Sequence, residues 1–189
     1  MITIRREAAV YLWLACLLIL LPLDWLLCAF FAAIFHEICH VLILLLFGGK
    51  IRKIDVSVTG CIIETSQLGY WQAMFSILAG PAGSMLLLVA SETAPKIAAC
   101  GFIHGLYNLL PILPLDGGRI LQLLLYKIYP ENAESVFLWT GRIICAILLL
   151  WEVYISINRQ FGVSSVLLIL MLRLFPRKIS CKPYKIGLQ

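Results

Sequence analysis

Two histidines and a glutamate form the most chemically suggestive pattern in the sequence, His36-Glu37-Ile38-Cys39-His40. Residues i and i+4 of a helix share one face, so both imidazoles can bind a single metal ion. Glu37 then lies beside that ion and can accept a proton from a bound water molecule. Zinc lowers the pKa of bound water from about 15.7 towards 7, which gives a nucleophile at neutral pH. The pattern therefore predicts a hydrolytic zinc site with Glu37 as general base.

A catalytic zinc site has three protein ligands and one open position, so a third ligand is expected. Asp116 is the natural candidate, because a carboxylate in an apolar segment is costly unless it is paired or metal-bound. Two glycines follow it, which permits tight turns and close approach. An alternative is that Asp116 caps a helix that starts near Gly117. We predict that His36, His40 and Asp116 hold one zinc ion, although this donor set also suits iron or cobalt.

The composition requires a membrane around these residues. The chain is 62% hydrophobic and only 13% charged, against about half and a quarter in soluble domains. We predict an all-α polytopic membrane protein with about six transmembrane helices, in one membrane-embedded domain (1–175) followed by a short basic tail (176–189). The predicted spans are 8–22, 25–47, 71–91, 96–129, 134–156 and 163–175, of which the first and last are short. Ionisable residues within such spans are functional by default.

The distribution of basic residues predicts the topology. With six crossings and a cytoplasmic N-terminus, most lysines and arginines fall in cytoplasmic stretches, while Lys96 and Arg159 lie on the other side and Arg142 within a span. Cationic residues are retained on the cytoplasmic side, so both termini are predicted to be cytoplasmic. The net charge of +5 is thus explained by topology, and no nucleic-acid partner is expected.

The fourth predicted span, 96–129, is too long for one helix. It would extend about 50 Å at 1.5 Å per residue, against a hydrocarbon core of about 30 Å. Pro111 and Pro114 are expected to break it. The piece Asn108–Gly118 is then irregular backbone at membrane depth, which must be buried in protein or line a wet cavity. Such breaks usually lie at functional sites.

A polar stretch, Gly48–Tyr70, separates the second and third spans. Apolar residues at 54, 56 and 58 alternate with polar ones. This period of two is typical of strands and predicts a short β-hairpin beside the membrane.

Two separated motifs resemble those of the site-2 protease family. His36–His40 matches its HExxH motif, and Asn108–Gly118 matches its NxxPxxPLDGG pattern. The six-span layout and Gly80-Pro81 most resemble the bacterial branch that includes the stage IV sporulation intramembrane protease. The family often has Asn where Ser84 stands, which argues against a substrate contact there. The CBS domain often found in the sporulation proteases is absent, so nucleotide-dependent regulation is not expected.

The resemblance implies a zinc-dependent intramembrane endopeptidase in a bacterial cell membrane. Its substrate would be a membrane-tethered protein, such as a transcription-factor precursor, cleaved within or beside a transmembrane segment. The resemblance also implies that Asn108 assists catalysis and that Asn108 and Gly117 contact substrate. The β segment would bind substrate as an added strand. The implied partners are the lipid bilayer and the substrate protein, and a regulatory membrane partner is compatible with this function.

Two other functions use the same residues. A metal-ion transporter would need further acidic or histidine side chains along a path, and the outer halves of the predicted spans offer few. A non-catalytic binder of membrane clients would have no need of Glu37.

Overall fold

The structure is a computed structural model that describes residues 2–4, 22–49, 51–57, 60–65, 68–113 and 115–159. These residues divide into two compact units, one ending at Leu110 and one beginning at Pro111. The predicted spans 8–22 and 163–175 lie outside the described residues apart from Pro22, as do Pro114 and the tail 176–189.

Three helices form the core of the first unit: α1 (Leu23–Leu46), α2 (Tyr70–Leu86) and α3 (Pro95–Asn108). A short 3-10 turn, Leu87–Ala90, follows α2. Each helix packs against the other two. Lys96 and Asp24 form an ion pair between the first turns of α3 and α1, so these two helices run in the same direction. Glycines on α2 and α3 bring the three backbones close together.

Helix α1 exposes large apolar side chains and buries a histidine, which is the opposite of a helix in a soluble protein. Its buried residues are Ala32, His36 and Leu44, whereas Phe30 is 65% exposed and Leu27 is 59% exposed. A helix in water places apolar side chains inward and polar ones outward. A large exposed apolar surface around a buried histidine is what a lipid environment requires. By length and composition, Leu23–Leu46 and Tyr70–Ala90 are both able to cross a membrane.

A glycine turn ends α1 and directs the chain into a sheet. Gly48 adopts a φ of 75°, which glycine tolerates at no steric cost. The Gly49 N–H donates to the Leu44 carbonyl (3.0 Å) and the Gly48 N–H donates to the Leu45 carbonyl (2.9 Å). This pair of bonds is the Schellman motif, which satisfies carbonyls left open at a helix end.

A three-stranded sheet contains β1 (Ile2–Ile4), which precedes α1, and β2 (Ile51–Ser57) and β3 (Gly60–Thr65), which connect α1 to α2. The order is β1-β2-β3, with β1 parallel and β3 antiparallel to β2. The N-terminal strand β1 was not expected from the sequence. Its pairing places residues 2–4 beside the connection between α1 and α2.

The second unit contains α4 (Asp116–Ile128) and α5 (Ala133–Arg159), which pack against each other. A break is present where the sequence predicted one, because α3 ends at Asn108 and α4 begins at Asp116. The described residues between them adopt turns and bends rather than helix.

Candidate metal centre

The two motif histidines lie together on the buried side of α1. His36 is only 2% exposed, and its Nε2 lies 3.0 Å from the Nε2 of His40. The rings meet edge to face with centroids 4.6 Å apart. The helical spacing therefore directs two nitrogens to one point, as the sequence predicted.

The Nδ1 atoms of both rings are held by α2. His40 Nδ1 lies 2.7 Å from the carbonyl oxygen of Ser76, and His36 Nδ1 lies 2.9 Å from the hydroxyl of Ser84. A carbonyl oxygen only accepts, so His40 carries its hydrogen on Nδ1 and presents a lone pair at Nε2. Such a bond from the second ring nitrogen is the usual companion of metal ligation.

The spacing of the two Nε2 atoms fits a single metal ion. Two nitrogens bound at 2.0–2.1 Å to a tetrahedral zinc ion would lie about 3.3 Å apart. The observed separation of 3.0 Å requires only a small adjustment. The donor chemistry of buried His36 and half-buried His40 therefore fits a zinc ion.

Gly80 of α2 faces this pair of nitrogens directly. A Cβ added at Gly80 would lie 2.2 Å from His40 Nε2 and 2.7 Å from His36 Nε2. Any side chain there would occupy the space in front of both donors. The Gly80-Pro81 sequence thus has a specific role, which is to bring α2 against the site without filling it.

The remaining predicted residues of the first unit have defined positions. Glu37 follows His36 on α1 and is half-buried. Asn108 is the last residue of α3, and its side-chain amide donates to the carbonyl of His104 at 3.1 Å. The His104 ring packs edge-on against His36, with centroids 4.7 Å apart. His104 and Ser84 are the two neighbours of His36 that the sequence did not assign to the site.

In the second unit, Asp116 is 5% exposed and is the first residue of α4. The N-cap position belongs to Leu115, so the alternative in which Asp116 caps a helix starting near Gly117 is wrong. Arg119 lies 3.9 Å from the Asp116 carboxylate, one turn along the same helix. Gly117 and Gly118 are both buried.

Gly118 holds the start of α4 against the preceding bend. A Cβ there would lie 2.5 Å from the Ile112 carbonyl carbon and 2.6 Å from the Leu113 nitrogen. Backbone atoms cannot move aside as a flexible side chain can, so Gly118→Ala is expected to displace this bend and misplace Asp116. A misplacement of about 1 Å costs on the order of 100-fold in activity. If the chain has the peptidase activity predicted from its sequence, peptide cleavage by the variant in detergent measures this loss, and activity within threefold of wild type would contradict it.

Comparisons with known proteins support the resemblance seen in the sequence. Residues 62–148 match the model of peptidase family M50, a stretch that includes the Asn108–Gly118 motif. Over that stretch the chain is similar to this family. The resemblance predicted from the two motifs is thereby confirmed.

Two curated relatives and one solved structure show how far the likeness extends. Over 165 residues, 77% of its length, the chain is 28% identical to stage IV sporulation protein FB of Bacillus subtilis (strain 168). Over 125 residues, 58% of the chain, it is 30% identical to sll0528 of Synechocystis sp., which is assigned to the zinc metalloproteases. The alignments span 56% and 33% of these relatives. The site-2 protease from Methanocaldococcus jannaschii shares the fold, with a TM-score of 0.66 over 91% of this chain and 89% of that one at 23% identity.

Proposed function

We propose that the protein is a zinc-dependent intramembrane endopeptidase that cleaves a membrane-tethered protein within or beside a transmembrane segment. The observation that carries this proposal is the convergence of His36 and His40 Nε2 atoms, 3.0 Å apart, on the buried side of an apolar helix. Two imidazoles with this geometry, one of them buried, have little structural purpose in a lipid-facing helix.

His36, His40 and Asp116 are the proposed ligands of the one zinc ion. Two imidazoles and a carboxylate are a donor set that could hold a metal ion, and three ligands leave the fourth position open. When bound, zinc would supply a water molecule acidic enough to lose a proton near neutral pH. The burial of Asp116 supports its role, because a buried carboxylate is stable only with a partner or a cation.

Glu37 is the proposed general base and later the general acid. It is adjacent to His36 on α1, and its half-buried position leaves it access to water. Asn108, the last residue of α3, and Gly117, in the first turn of α4, flank the non-helical segment and are proposed to contact substrate. In the part of the chain that the structure describes, β3 pairs only with β2, so its other edge is proposed to offer backbone groups to an unwound substrate segment.

A multi-pass arrangement with both termini in the cytoplasm is proposed for the whole chain. The parallel start of α1 and α3 at the Asp24–Lys96 pair agrees with two spans that cross in the same direction. The pairing of β1 with β2 agrees with an N-terminus on the side where α1 ends.

Cleavage by the purified protein tests the proposal. We expect the full chain, co-reconstituted with a membrane-spanning test substrate, to cleave it and to bind one zinc ion per chain by elemental analysis. Treatment with a zinc chelator should abolish cleavage, and added zinc should restore it. If the wild-type protein never cleaves the substrate but moves zinc across liposome membranes, the proposed function is wrong and the protein is a metal-ion transporter.

A further inference from the structure

Ser84 occupies a closed position between the three helices of the first unit. It lies on α2 and is 0% exposed. A Cβ added at Gly105 of α3 would lie 3.1 Å from the Ser84 Cβ, and one added at Gly101 would lie 2.7 Å from the Ser84 carbonyl oxygen. The close approach of α3 therefore leaves the serine little room to move.

The Ser84 hydroxyl is directed at a motif histidine. Its Oγ lies 2.9 Å from His36 Nδ1. Burying a hydroxyl is costly unless it forms a hydrogen bond, and this contact with His36 provides one. His104 packs edge-on against the same ring, so the orientation of the His36 ring is fixed by two neighbours.

The Ser84 hydroxyl can accept the hydrogen of His36 Nδ1, and that arrangement leaves the Nε2 lone pair available to a cation. When Nδ1 carries the hydrogen and donates it to the Ser84 oxygen, Nε2 keeps a lone pair directed towards His40 Nε2. Neutral imidazole has one hydrogen, and the bond made by one nitrogen decides the role of the other. His40 is fixed in the same way by the main-chain carbonyl of Ser76, which no side-chain substitution removes.

We propose that Ser84 is a positioning residue that acts through His36, holding its Nδ1–H so that Nε2 points at the metal. This inference rests on the proposed function, since it requires His36 to be a zinc ligand. Ser84 has no contact with substrate in this scheme. It sets the affinity of the site for zinc.

Ser76 provides a matched control on the same helix. It is also buried, at 6% exposure, and its Oγ has no hydrogen-bond partner among the described residues. Ser76→Ala removes a buried hydroxyl from α2 but leaves intact the carbonyl that binds His40. Ser84→Ala removes a hydroxyl of the same size together with the partner of His36 Nδ1.

The test is the zinc affinity of the full chain in detergent, measured by competition with a chromogenic chelator. We expect Ser84→Ala to weaken zinc binding about 10- to 100-fold, the usual effect of removing a partner of a metal-bound histidine. Ser76→Ala should stay within threefold of wild type. Ser84→Gly, which also lacks the hydroxyl, should show the same loss as Ser84→Ala. Circular dichroism of the metal-free proteins should show equal helix content.

Three results would overturn the inference: zinc affinity of Ser84→Ala within threefold of wild type, an equal loss in Ser76→Ala, or wild-type protein that binds no zinc. The last result would overturn the proposed function as well. Wild-type protein that binds zinc tightly but cleaves no peptide would contradict the endopeptidase proposal alone, because the affinities of the serine variants would still decide the role of Ser84.

Discussion

Glu37→Gln is expected to abolish peptide cleavage while zinc remains bound. Glutamine has nearly the shape of glutamate, but its amide cannot accept a proton from water. General acid–base catalysis contributes about 10²- to 10⁴-fold, which corresponds to about 3–5 kcal/mol in the activation barrier. The measurement is the rate of cleavage of a co-reconstituted membrane substrate, with zinc content determined on the same sample.

A neighbouring substitution on α1 serves as the control for Glu37→Gln. Ile38 is 52% exposed on the apolar surface of the helix, so Ile38→Leu preserves both the surface and the motif histidines. Its cleavage rate should equal that of wild type. If Glu37→Gln cleaved at the wild-type rate with zinc bound, Glu37 would not be the general base.

The sequence predicted the histidine pair because its geometry is local. Helical spacing alone brings His36 and His40 to one face, whatever surrounds them. The resemblance to the site-2 protease family followed from a second local motif, Asn108–Gly118, in the right order along the chain. The break in the fourth predicted span followed from its length and its prolines.

The partners of the histidines could not be predicted in the same way. Ser84 and His104 reach His36 from other helices, and those contacts depend on how α1, α2 and α3 pack. When only the sequence is known, a serine or histidine in an apolar helix is as readily explained by helix packing as by a role in a site. The pairing of β1 with β2 is likewise a long-range contact made by a segment of three residues, too short to show a strand period.

The role of Asp116 at the start of α4 could not be predicted from the sequence for a different reason. An aspartate before two glycines is typical of a helix cap, and sequence alone left the cap and ligand roles of Asp116 open. In the structure Asp116 is already inside the helix and is buried. A carboxylate near the positive N-terminal end of a helix is stabilised by the helix dipole, which supports the placement of a buried aspartate at this position.

Gly80→Ala is expected to destroy the metal site without unfolding the protein. The new methyl carbon would lie 2.2 Å from His40 Nε2 and 2.7 Å from His36 Nε2, closer than real Cβ atoms approach any atom. The His36 ring cannot turn aside easily, because it is held by the Ser84 hydroxyl and packed against His104. The strain must therefore separate the two nitrogens or push α2 away from α1.

Either response removes the arrangement that binds zinc. We expect zinc affinity and cleavage to fall about 100-fold or more, as for displacements of about 1 Å elsewhere. Chelator competition and the cleavage assay measure the two losses on one preparation. Gly141→Ala on α5 is the matched control, because a Cβ at Gly141 meets nothing within 4 Å and alanine favours a helix. Wild-type zinc affinity in Gly80→Ala would mean that α2 does not lie against the histidine pair, and the role assigned to Ser84 would fall with it.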